Sequence, residues 1–162
     1  MTGPIQNRWA FLVGINDYRD SQYGTLNYCV NDVTTLQSLL EQVGYTVVCL
    51  HDQLDARSAR FPSRKNIEDE FKQLAQHVGP NDLLLVYFAC HGTRAGDGLP
   101  RLIAEDTRSY DLANQAVAVA DVENWMRDSG AERLVLMLDA CHIGVGTDQR
   151  NMADPEFIRN VH

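Results

Sequence analysis

The chain has 162 residues, of which 44% are hydrophobic and 22% charged, and its formal net charge is −8 at pH 7. This size and composition are typical of one globular domain, and the negative charge argues against nucleic acid or an anionic membrane surface as a partner. No apolar run approaches the ~20 residues that span a bilayer. Residues 1–6 lack the regions that make a signal peptide, so we expect a cytoplasmic protein.

Strand and helix patterns alternate along the chain. Residues 9–15 are a continuous apolar run, which is typical of a strand covered on both faces. Ser63 and Asp121 are expected to cap helices, and Gly44 to end one. The further elements expected are a helix at 28–43, a strand at 45–50, a helix at 64–77, strands at 83–90 and 101–104, a helix at 119–128 and a strand at 134–138.

This order predicts an α/β fold, a three-layer α/β/α sandwich built on a mainly parallel sheet with right-handed crossovers. No internal repeat, low-complexity tract or linker interrupts the pattern, so residues 1–162 are interpreted as a single domain. Residues 144–162 are polar, and we interpret them as a segment that leads to a further secondary-structure element.

Two apolar runs lead directly into reactive side chains. Residues 83–90 are followed by His91-Gly92, and residues 134–138 by Asp139-Ala140-Cys141-His142. Ligands of open α/β sheets bind beyond the carboxyl ends of the strands. A thiol becomes a strong nucleophile when a base lowers its pKa, and His91 can be that base and can return the proton to a leaving amine.

The residues around this pair fit the same chemistry. Because Gly92 has no side chain, its N–H can face a substrate, and with the N–H of Cys141 it can form an oxyanion hole. His142 is not taken as the base, because successive residues of a strand point apart. Taken singly, His91 could be a polar strand end and Cys141 a buried thiol; together they favour catalysis. Cys49 and Cys90 lie in apolar runs and are expected to be buried.

Four segments resemble the caspase-like cysteine peptidases, most closely the metacaspases and the bacterial orthocaspases. In family order they are FLVGINDY at 11–18, CVND at 29–32, FACHG at 88–92 and LDACHIG at 138–144. The separation of roughly 50 residues between His91 and Cys141 is also that of caspases. The resemblance implies a Cys-His dyad with His91 as base and Cys141 as nucleophile, and no essential third residue.

The resemblance also implies specificity for Arg or Lys before the cleaved bond. Asp32 and Asp139 match the acids of the metacaspase pocket, with Cys29 and Ala89 as pocket wall. Two carboxylates near the nucleophile would favour a cationic side chain through charge-assisted hydrogen bonds, so the expected partners are proteins or peptides with basic residues. Alternatively, Asp32 is a first-turn helix residue favoured by the dipole, and Asp139 a strand-end carboxylate bound to backbone N–H groups.

No cofactor is expected to be required. Some metacaspases bind calcium through aspartates, and Asp97, Asp121 and Asp148 lie near corresponding places. The family's adjacent Asp pair is here Ala120-Asp121. Because calcium usually takes six to eight oxygen ligands, the cluster is incomplete. No metal site is therefore assigned, calcium activation stays open, and solvated loop acids are the alternative.

The resemblance covers the larger, p20-like part of the caspase-like unit, and we expect the smaller C-terminal, p10-like part to be absent from these 162 residues. We expect an open sheet edge beside the Cys141 strand, to be covered by that part, a partner or a second copy. A caspase-like pseudoenzyme or interaction scaffold, inactive on its own, is the alternative function. A flavodoxin-like or response-regulator-like binding domain is disfavoured, because residues 14–17 provide no Gly-rich phosphate cradle.

Overall fold

The computed structural model describes the backbone of residues 3–142 and the side chains of residues 3–140. Asp148, the polar segment from 144 onward and the side chain of Cys141 lie outside the described part. In chain order the elements are β1 Arg8–Gly14, α1 Cys29–Gln42, β2 Thr46–His51, α2 Arg64–Ala75, β3 Leu83–Arg94, β4 Pro100–Leu102, a 3-10 helix Ser109–Asp111, α3 Leu112–Gln115, β5 Val117–Ala118, α4 Val119–Asp128 and β6 Arg133–His142.

The strands form one mixed sheet. Strand β1 pairs in parallel with β2 and with β3, and β3 pairs in parallel with β6. Strand β4 is antiparallel to the end of β3, and β5 is antiparallel to β4. The expected α/β fold is therefore confirmed. Because the sheet is mixed, the finer expectation of a mainly parallel three-layer sandwich is not confirmed.

The two faces of β1 are covered by different helices. Ala10 and Leu12 face the cluster that contains Val33 of α1. Phe11 and Val13 face the larger cluster, which contains Phe71 of α2 and residues of α4. Successive strand residues point to opposite faces, and both faces of β1 are buried, so its continuous apolar sequence follows from its central position.

Most helix boundaries agree with the sequence. The Ser63 hydroxyl accepts the N–H of Asn66 at 3.2 Å and caps α2, and Gly44 follows α1 with φ of 87°. The expected Asp121 cap is wrong, because α4 begins after Ala118 and Asp121 lies inside its first turn. There the carboxylate can still interact favourably with the positive end of the helix dipole.

Strand β3 is longer than its apolar run. It passes through His91 and Gly92 and ends at Arg94, so His91 does not end the strand. Residues 92–94 are in the strand because they pair with β4.

Within residues 3–142, the helices are too short or too polar to cross a membrane.

Candidate active site

His91 and Cys141 lie at paired positions of neighbouring strands. Their Cα atoms are partners in the parallel register of β3 and β6, and the same register pairs Ala89 with Asp139. Partners in a parallel register lie on the same face of the sheet. The backbone therefore brings together the positions of the expected base and nucleophile.

The His91 ring is held in one orientation. His91 is 6% exposed, and its Nε2 atom lies 2.6 Å from the carbonyl oxygen of Gly24. Because a carbonyl only accepts hydrogen bonds, this contact assigns the ring proton to Nε2. In the neutral ring the lone pair is then on Nδ1, which is the nitrogen able to take a proton.

Two tyrosine rings pack around His91. The Tyr18 ring centroid is 5.0 Å from that of His91, and Tyr23 lies 5.7 Å from Tyr18 and 6.4 Å from His91. The backbone N–H of His91 donates to the Tyr18 hydroxyl at 2.8 Å. Burial raises the pKa of Tyr18 well above its usual range, so this hydroxyl stays protonated.

The loop between β1 and α1 carries Tyr18 and Gly24, and Asp52 fixes its start. The Asp52 carboxylate accepts the N–H groups of Asn16 at 3.0 Å and Asp17 at 2.8 Å. The N–H of Leu26 donates to the Asn16 carbonyl at 2.8 Å and closes the loop. The sequence alone does not reveal these contacts, because no residue pattern signals a carbonyl or hydroxyl aimed at a distant ring.

Helix α1 approaches β1 very closely at the site. A Cβ atom on Gly14 would lie 2.5 Å from Cγ2 of Val33 and 2.6 Å from the carbonyl oxygen of Cys29. The glycine therefore allows the first turn of α1, with half-buried Cys29 and Asp32, to lie against the end of β1. The expected pocket residues Asp32 and Cys29 are thus beside the strand that adjoins β3.

The pKa of Tyr87 is affected by both expected pocket acids, Asp32 and Asp139. The Tyr87 side chain is 9% exposed and lies in the α1-facing cluster with Ala89, which is fully buried. Burial raises the pKa of Tyr87 to about 12, and the nearby charges of Asp139 and Asp32 contribute. The charges of both carboxylates, one on β6 and one on α1, therefore act on the same hydroxyl.

Of the residues considered for calcium, the structure describes Asp97 and Asp121, and it does not gather these two into a metal site. Asp97 accepts a hydrogen bond from Nη2 of Arg101 at 2.7 Å, and its pKa is lowered by the N–H of Leu99 and by Arg101. Within residues 3–142, no group of three or more His, Cys, Asp or Glu residues could hold a metal ion.

Comparison with known proteins identifies the family. A family model described as "Caspase domain" matches residues 7–159, so the chain belongs to the caspase domain family. Metacaspase-1 of Mycosarcoma maydis is 29% identical over 95% of this chain, and Metacaspase-1B of Aspergillus fumigatus is 31% identical over 87%. The expected family is confirmed, and with it the expected enzyme class of cysteine peptidases is supported.

The match covers only part of each relative. The chain spans 42% of the Mycosarcoma protein and 36% of the Aspergillus protein. A solved structure, protein GSU0716 from Geobacter sulfurreducens, aligns with a TM-score of 0.66 at 18% identity, over 86% of this chain and 52% of that one. At this identity the structure supports the fold alone.

Proposed function

We propose that the chain is the dyad-bearing part of a cysteine endopeptidase that hydrolyses peptide bonds after Arg or Lys. The observation that carries the proposal is the register of His91 with Cys141 on adjacent parallel strands, together with the ring orientation that leaves the lone pair on Nδ1. Family membership supports the same chemistry.

The reaction follows from these positions. The Cys141 thiol gives its proton to Nδ1 of His91, and the thiolate attacks the carbonyl carbon of the scissile bond. The backbone N–H groups of Gly92 and Cys141 stabilise the oxyanion. His91 then protonates the leaving amine, which leaves a thioester on Cys141. A water molecule, deprotonated by His91, hydrolyses the thioester and releases the acid product.

The specificity proposal rests on the acids near Tyr87. The charges of Asp32 and Asp139, on two different elements, act on the Tyr87 hydroxyl, and Cys29 and Ala89 lie on the same side of the sheet. An Arg or Lys side chain between the carboxylates would form charge-assisted hydrogen bonds with both. The chain's net charge of −8 also attracts basic substrates.

We propose further that catalysis requires no cofactor. Arg101 already neutralises Asp97, which weakens it as a ligand for calcium. The p10-like part, or a partner in its place, would cover the outer side of β6. That strand pairs with β3 alone among the described strands, and Val135 and Met137 are 39% and 44% exposed on its α1-facing side.

The testing experiment compares fluorogenic peptides that end in Arg, Lys or Asp, with and without calcium. Wild type is compared with Cys141→Ala, and Cys49→Ala is the matched control, because Cys49 is a buried thiol of β2. We expect cleavage after Arg and Lys that does not need calcium, is lost in Cys141→Ala and is kept in Cys49→Ala. Cleavage after Asp would overturn the pocket assignment, and no cleavage in the intact protein would favour a scaffold.

A further inference from the structure

We propose that Tyr18 is a positioning residue for His91: its hydroxyl fills a gap in the sheet hydrogen bonding beside His91, and its ring supports the imidazole. This inference rests on the proposed function, in which His91 is the catalytic base.

The gap lies where β3 changes partners. On one side of β3, the pairing with β1 ends where the N–H of Ile15 donates to the carbonyl of Ala89 at 3.0 Å. The pairing with β4 begins where the N–H of Ile103 donates to the carbonyl of His91 at 2.9 Å. The His91 N–H lies between these two bonds, at a point where β1 has left the sheet and β4 has not yet joined it.

The Tyr18 hydroxyl takes the place of a strand carbonyl at this point. It accepts the His91 N–H at 2.8 Å and donates to the carbonyl of Ile15 at 3.4 Å. The Tyr18 hydroxyl therefore links the backbone of Ile15, just after β1, to the backbone of His91. A buried N–H left without such an acceptor would be costly, and local adjustment of β3 would move His91 relative to Cys141.

The Tyr18 ring adds a second restraint. It lies against the imidazole with a centroid distance of 5.0 Å and an interplanar angle of 38°. The Gly24 carbonyl fixes the Nε2 end of the imidazole. The backbone, one face and one end of His91 are thus held by a single loop, so Nδ1 keeps its direction. Proton transfer depends on such alignment.

Tyr23 provides a matched control within the same aromatic cluster. It is 8% exposed and also packs near His91. Among residues 3–142 its hydroxyl has no hydrogen-bond partner. Tyr23→Phe therefore removes a hydroxyl from the same aromatic cluster, as Tyr18→Phe does, but it removes no hydrogen bond to the His91 backbone.

The experiment measures kcat and KM on an Arg peptide, and the titration of the His91 ring by NMR, for wild type, Tyr18→Phe and Tyr23→Phe. For Tyr18→Phe we expect kcat to fall about 10- to 100-fold, because a displaced His91 loses part of the about 100- to 10,000-fold that an aligned general base contributes. We expect KM to be unchanged and the His91 titration midpoint to be displaced. For Tyr23→Phe we expect wild-type values.

Equal kinetics and equal His91 titration in the two variants would overturn the inference, as would a Tyr18→Phe effect confined to melting temperature. If Tyr18→Phe does not fold, 3-fluorotyrosine at position 18 keeps the hydroxyl and nearly the same ring size but makes the oxygen a weaker acceptor, and an unchanged kcat would overturn the inference. If wild type cleaves nothing, the proposed function fails, while the NMR comparison still decides whether Tyr18 positions His91.

Discussion

His91 and Cys141 are Cα partners across β3 and β6. The relationship depends on strand register alone, since the two residues belong to elements far apart in sequence. Because side chains alternate along a strand, a shift of one residue would move the Cys position to the opposite face of the sheet. The relative position of the two residues of the proposed dyad is therefore set by the hydrogen bonding between β3 and β6.

This register predicts that the nucleophile cannot be moved by one residue. Cys141→Ala should lower kcat by at least about 1,000-fold, and adding Ala140→Cys should restore nothing, because position 140 packs against the core on the other face. Peptide hydrolysis and alkylation by a substrate-like inhibitor would measure both. Recovery of activity in the double variant would contradict the register.

A second prediction concerns the close approach at Gly14. In Gly14→Ala the new methyl group would overlap Val33 and the Cys29 carbonyl, so we expect a loss of about 1–3 kcal/mol in the free energy of unfolding. Gly96→Ala is the control, since a Cβ there meets nothing within 4 Å. Urea unfolding would measure both variants, and equal stability would show that α1 adjusts at no cost.

A third prediction concerns acid stability through Asp82, which is 2% exposed. Its carboxylate accepts the N–H groups of Gly79 and Asn7, the Asn7 side-chain amide and the Trp9 indole, at 2.9–3.0 Å. Burial alone would raise the pKa of Asp82, but these hydrogen bonds outweigh burial and lower it. The stabilisation is therefore present above the unfolded pKa of about 3.9 and is lost as pH falls through the lower folded pKa.

Asp82→Asn should consequently cost about 2–3 kcal/mol at pH 7, because an amide NH₂ replaces one accepting oxygen. The difference from wild type should shrink as pH falls below about 4. Urea unfolding at a series of pH values would measure it. A difference that stays constant between pH 7 and pH 3 would show that the charge of Asp82 is not the stabilising feature.

A fourth prediction follows from the two acids near Tyr87. Asp139→Asn should raise KM for an Arg peptide about 10-fold, the value of one charge-assisted hydrogen bond, and change kcat much less. Asp128→Asn, on an exposed residue at the end of α4, is the control. An unchanged KM in Asp139→Asn would remove that residue from the pocket.

The sequence predicted those features that depend on long patterns. The apolar run at 9–15 and the helical spacing at 64–77 are long enough to define an element, and the observed bounds differ by one or two residues. Elements such as β5 and α3, with 2 and 4 residues, have no such periodicity and were not predicted. Thr93 and Arg94 join β3 through tertiary pairing with β4, which a local polar sequence does not reveal.

The site was predictable to the same extent. Parallel strands end at one edge, so two runs that lead to His91 and Cys141 already indicated a neighbouring pair. Tyr18 stands within the segment 11–18 that resembles the family, yet its contact with the His91 backbone could not be foreseen. A phenol that substitutes for a strand carbonyl depends on where two strands part, and that geometry exists only in the folded chain.

The position of β6 in the chain also orders the assembly of the site during synthesis. Ribosomes make β1, the loop with Tyr18 and Gly24, and β3 before β6, and a domain generally folds as one unit. His91 is therefore translated before Cys141, but both strands belong to the same folding unit. The pairing of the His91 and Cys141 positions exists only once β6 has been made and has joined the sheet.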